Sequence, residues 1–143
     1  MIAVASFKHI LAAVVVLTNA QIVSLPTTPI ELVPAPGDGK LIVPVLLTVS
    51  WNFPQPYQNV NQLVTQTNFG WGTHQYIGMP ATMGVYTTNL TGQFAGSNTF
   101  SAPTGIWNLP FMVWVTNYNL GNFTGGDPSN TMTIKFEYVI DEL

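Results

Sequence analysis

LIVPVLLTVSWNF, residues 41–53, sets Val43, Val45, Leu47, Val49, Trp51 and Phe53 at alternate positions, with Pro44, Leu46, Thr48, Ser50 and Asn52 between them. Successive side chains on a strand point to opposite faces, so a period of two predicts a β-strand with its Val/Leu/Trp face toward a core. Pro44 has no N–H to give to a ladder and belongs at an edge or at the start of pairing. The closing stretch repeats the pattern. Met132, Ile134, Phe136, Tyr138 and Ile140 point inward, and Thr131, Thr133, Lys135 and Glu137 outward.

Between these two strands, glycines and prolines bound short β-prone runs at about 62–67, 74–77, 82–87 and 111–118. In the last run Phe111, Val113 and Val115 oppose Met112, Trp114 and Thr116, a pattern that reads as buried on both faces. Before the first strand, LPTTPIELVPAPGDGK (25–40) reads as extended pieces separated by prolines, with Gly37-Asp38-Gly39 as a turn. No helix-period segment follows residue 20. Short strands with Gly/Pro turns predict an all-β chain, an antiparallel β-sandwich of jelly-roll-like type in a single domain.

Charge is the second determinant. Residues 41–126 contain no Lys, Arg, Asp or Glu, and the whole chain of 143 residues is 6% charged, against about 25% in ordinary soluble domains. Asn, Gln, Ser and Thr supply the polarity instead. Acid–base catalysis and metal binding draw on carboxylates, imidazoles and thiols, and this chain has two His and no Cys. Three Lys and no Arg leave no basic footprint for nucleic acid. The composition therefore points to a protein that builds or coats, not to an enzyme, and implies no cofactor and no metal. A weakly charged surface of strands resists self-association poorly and suits a symmetric assembly.

Residues 1–20, MIAVASFKHILAAVVVLTNA, resemble a secretory signal, with Lys8 ahead of the apolar run 10–17 and Thr18-Asn19-Ala20 as a small-residue site. The run is too short for a membrane-spanning helix, which needs about 20 apolar residues. Lys8 is the only basic residue of the segment, and the reading adopted is a retained apolar arm (1–20) ahead of a sandwich domain (21–143). The arm is either a helix over 3–17 or a buried strand over 10–17, and Val14-Val15-Val16 favours the strand. Phe7, Ile10, Leu11, Val14 and Val16 need cover from the chain's own domain or from a neighbour.

Further candidates sit in loops. Trp71, His74 and Tyr76 fall in GWGTHQY, and Trp107 between Gly105 and Pro110. Loop aromatics of this kind serve a protein interface, pack in a core or stack on sugars. No carboxylate lies within about thirty residues of His74 to orient it as a base, so it reads as a hydrogen-bonded or interface histidine. Asp38 in PGDGK lacks the spaced ligands of a calcium loop and the pattern of a phosphate loop. Glu137, Asp141 and Glu142 show no sign of flanking one cleft as hydrolase carboxylates do.

LTNAQIVSLPTTPIELVPAPGDGKLIVP (17–44) resembles the opening of small virion surface proteins of tailed bacteriophages. The shared order is a Thr/Ala/Gln segment, a Thr-Thr-Pro step, a Pro- and Gly-rich turn ending in Lys40, and then a strand. GGDPSNTMTIKFEYVI (125–140) is similar to their close, a Gly-Gly-Asp turn leading into a final aromatic-bearing strand, with FGWGTH (69–74) a Gly/aromatic turn between. The resemblance implies a capsid decoration, or cement, protein at the virion surface, commonly trimeric, whose partners are the major capsid protein and its own copies. It carries no catalytic residue. A glycan- or receptor-binding head-fibre or tail module using Trp71 and Trp107 is the alternative expectation, and a secreted lectin-like protein a third.

Overall fold

A computed structural model of the chain describes residues 8–60, 66–80, 90–95, 105–117 and 121–142. Its elements are β1 (Leu11–Leu17), α1 (Asn19–Ser24), β2 (Ile30–Val33), β3 (Lys40–Asn52), β4 (Tyr57–Gln58), β5 (Gln66–Trp71), β6 (His74–Pro80), β7 (Leu90–Ala95), β8 (Phe111–Thr116), β9 (Thr124–Gly125) and β10 (Thr131–Glu142). The expected run 82–87 and Phe7 lie outside the described residues.

The chain is an all-β sandwich. One sheet has the order β1-β10-β3-β7 and the other β2-β8-β5-β6, while β4 and β9 form a small separate ladder. Every pairing is antiparallel. Setting β4 and β9 aside, the chain changes sheet at every connection except the β5–β6 hairpin. Cross-sheet contacts fix which strands face each other. Phe136 of β10 stacks on Phe111 of β8 with ring centroids 4.1 Å apart. Across the same gap, the Trp71 indole Nε1 of β5 donates to the Ile42 carbonyl of β3 at 2.8 Å. Leu47, Val49, Phe69, Val113, Ile134 and Met132 fill the space between the sheets.

β10 follows its sequence pattern. Met132, Ile134 and Phe136 are fully buried, and Tyr138 and Ile140 pack half-buried against the core. β3 departs from its pattern. Glu137 pairs with Leu46 but Tyr138 pairs with Pro44, so Val45 stands opposite no residue. This bulge shifts parity by one. Leu47 and Val49 are buried after it, but Ile42 and Pro44 are buried before it, and Val43 and Val45 are only half-buried. Among the described residues β7 pairs only with Leu46 to Trp51, so no described strand asks Pro44 for an N–H on that side. β8 is likewise corrected. Phe111, Val113 and Val115 face the core, whereas Met112, Trp114 and Thr116 are half-exposed on the outer side.

Contrary to the expectation that helix ends with the arm, residues 19–24 form a short α-helix. Thr18 and Gln21 close a capping box. The Gln21 N–H donates to Thr18 Oγ1 at 3.4 Å and the Thr18 N–H to Gln21 Oε1 at 2.9 Å. The helix buries Ile22 completely, Leu25 follows it into the core, and the next residue is Pro26. No described helix is long and apolar enough to cross a membrane.

Candidate functional site

The first strand resolves the reading of the apolar amino-terminal run. Val14-Val15-Val16 resists helix because β-branched side chains lose χ1 freedom there. β1 pairs with β10 from Leu11 opposite Tyr138 to Leu17 opposite Met132. Residues 11–17 are thus the outermost described strand of the sheet that contains β10. Contrary to the expectation for it, the strand is not buried. Leu17 is buried, and Ala13 and Val15 lean on the core. Outward, Val14 is 64% exposed, Val16 55% and Ile10 61%, while Leu11, on the inner face where the strand begins, is 43% exposed.

This edge has none of the usual protection. Edge strands in soluble proteins are blunted by Lys, Pro, bulges or extreme shortness. β1 runs seven residues with no charge, no proline and no break in register. Its other edge pairs with no strand among the described residues. The nearest charges belong to β10, where Lys135 is beside Val14 and Glu137 beside Ala12, and these two bridge each other at 2.7 Å.

Charge collects at one end of the sandwich. Lys8 pairs with Asp141, and Lys40 with Glu142 at 3.3 Å. Asn108 Nδ2 donates to Asp38 Oδ1 at 2.7 Å, and its backbone N–H donates to the Lys40 carbonyl at 2.8 Å. The Lys8 ammonium holds the Asp141 carboxyl below its ordinary value. Both ion pairs are solvated, so each contributes little. Lys8, His9, Leu11, Ile140 and Glu142 line an open cavity of about 350 Å³ beside the start of β1.

The opposite end is held by neutral groups. Asn59 Nδ2 donates to the Asn122 carbonyl, Asn117 Nδ2 to the Asn59 and Gly121 carbonyls, and Asn130 Nδ2 to the Gln55 carbonyl. Thr27 Oγ1 donates to Asn122 Oδ1 at 2.6 Å. Amide side chains carry both donor and acceptor, so asparagine can pin loops where another chain would use ion pairs. Phe53, Tyr57 and Phe123 pack beneath these bonds.

The candidate residues do not form one cluster. Ile10, Leu11, Val14 and Val16 lie together along β1. His74 and Tyr76 lie on the far side, since β1 overlies β2 while β6 is the opposite edge of the second sheet. Trp71 is corrected outright. It ends β5, is 1% exposed, and meets Tyr76 and Phe111 edge-on. The two-residue turn Gly72-Thr73 then starts β6 at His74, which is exposed. Gly72 takes φ +53°, as the first central position of such a hairpin turn requires. Trp107 is in a loop as expected but is half-buried against the core. The Val45 bulge left no mark in the sequence pattern. The capping box did, as Thr18-Asn19-Ala20-Gln21.

Among the described residues no three His, Asp or Glu side chains converge as a metal site would require. No protein-family model matches this chain, and no curated protein is similar to it.

Proposed function

We propose that this chain is a noncatalytic virion surface protein, a capsid decoration protein that binds the major capsid shell and its own copies. The single observation that carries the reading is β1, an unprotected apolar edge strand that holds the exposed large apolar side chains of the described residues, in a chain that is nearly uncharged. Such an edge is satisfied by adding a strand from another protein, with main-chain bonds giving affinity and side chains giving register. The strand order supports the reading too. Without β4 and β9, we read the sheets β1-β10-β3-β7 and β2-β8-β5-β6 as a jelly-roll-like sandwich, an architecture that recurs in viral capsid and lectin domains.

Each contact of a decoration protein can be modest, because a multimer bound at several points gains from effective concentration. With so few charges, the contacts are apolar and hydrogen-bonded and depend weakly on salt. The test is to add the purified full chain to particles that lack it, wash at about 0.5 M salt, and image them. Added density on the shell that survives the wash is the expected result. Undecorated shells overturn the proposal. A positive glycan array with undecorated shells would move the assignment to receptor binding, a reading that the burial of Trp71 has already deprived of one stacking platform.

A further inference from the structure

We infer that the edge of β1 that pairs with no described strand pairs with β1 of a second copy about a twofold axis through Ala13, joining the two β1-β10-β3-β7 sheets into one. This inference does not rest on the capsid reading. It follows from one strand and the charges beside it.

Side chains on β1 alternate, with Ile10, Ala12, Val14 and Val16 outward and Leu11, Ala13, Val15 and Leu17 inward, as their β10 partners show. Antiparallel pairing must set outward residues opposite outward residues. With Ala13 on the axis, Ala12 meets Val14 of the partner subunit, Ile10 meets Val16 of the partner subunit, and Leu11 meets Val15 of the partner subunit. That register covers all four exposed apolar residues and sets large against small at the centre.

Charge selects this register over its neighbour. On β10, Glu137 is beside Ala12 and Lys135 beside Val14. Centred on Ala13, the outer row reads Glu137, Ala12, then Val14 and Lys135 of the partner subunit, and the row related by the axis reads the reverse. Opposite charges thus face each other across two small apolar residues. Centred on Val14, the same rows would set Lys135 in line with Lys135 of the partner subunit and bring no opposite charge into reach across the seam. A threefold ring, by contrast, needs two different complementary patches, whereas a self-complementary strand closes as a twofold pair. The edge of one copy is therefore the occupant best matched to the other.

Sedimentation equilibrium of the full chain, up to about 100 μM, tests this. Dimers are expected. Val14→Lys and Val16→Lys each raise the dissociation constant at least about tenfold while leaving the β circular-dichroism signature intact, because both positions are exposed in the monomer. Lys135→Glu and Glu137→Lys each weaken the dimer, and the double exchange restores it. A monomer at every concentration, a trimer, or a dimer indifferent to both lysine variants overturns the inference. So does a monomer whose β1 amides are protected from hydrogen exchange, which would give the edge to residues 1–7 of the same chain.

Discussion

The Trp71 indole N–H reaches across the sandwich and donates to the Ile42 carbonyl at 2.8 Å, tying β5 of one sheet to β3 of the other. The bond joins an end of β5 to the stretch of β3 ahead of the Val45 bulge, where parity has been reset. A tryptophan buried to 1% must satisfy its donor, and here the acceptor is main chain.

Trp71→Phe keeps an aromatic ring against Phe111 but removes that donor and some volume. The expected loss is about 1–3 kcal/mol, the cost of a buried polar group left without its partner. Urea denaturation measures it. Self-association and any glycan binding should be unchanged, because the residue is not at the surface. A loss of binding with stability intact would return Trp71 to the list of contact residues.

Thr67 makes the opposite prediction. It lies inward on β5 opposite Val115, is 1% exposed, and its hydroxyl oxygen has no hydrogen-bond partner. Thr67→Val replaces an unsatisfied hydroxyl with a methyl group of similar shape, so stability should rise by about 1 kcal/mol. The melting temperature and urea midpoint should both increase. A decrease in either would mean that the hydroxyl is bonded in solution.

Gly126 closes the Gly-Gly turn at φ +78°, and a Cβ there would lie 2.6 Å from Tyr57 Cε1. Gly126→Ala combines left-handed backbone strain, about 1–3 kcal/mol, with a clash against a ring held between Phe53 and Phe123. The variant should unfold at lower urea, and Tyr57 fluorescence should report the local change first. Gly105→Ala is the control, since its φ of +94° meets open space and only strain remains.

Much of this fold is written locally, and the remainder is not. Met132, Ile134 and Phe136 take the face that their alternation assigns. The Gly37-Asp38-Gly39 turn is closed by the Lys40 N–H on the Gly37 carbonyl, as its glycines suggest. What misleads is tertiary. Val43 and Val45 alternate with Leu47 as though on one face, and only the bulge opposite Glu137 and Tyr138 separates them. Trp71 stands in a Gly-flanked stretch that reads as a loop, and becomes core because β8 and β3 close over it. The apolar run 10–17 asks for burial by composition, yet its outward residues stay exposed because no described strand pairs beyond β1. Of the candidate contact residues, those on β1 were legible as apolar; that they form one free edge required the sheet order.

Tyr57 gives the pH dependence its sign. The side chain is 3% exposed and its hydroxyl donates to Asn19 Oδ1 at 2.8 Å. Burial pushes the phenol from 10.0 up to about 12, against a smaller downward pull from Asn130. The unfolded chain ionises this group near its ordinary value, while the folded chain keeps the proton about two pH units longer. Above pH 10 the unfolded state therefore binds fewer protons, and stability falls with a slope of up to about 1.4 kcal/mol per pH unit. The contribution is fully present below pH 10 and is lost as pH rises toward 12. Tyr57→Phe removes this dependence and costs about 1 kcal/mol at neutral pH through the lost bond to Asn19. The difference between the urea-midpoint profiles of the two proteins isolates Tyr57. Those profiles should converge above pH 10 and cross before pH 12, and parallel curves would mean that the phenol is solvated in the folded protein.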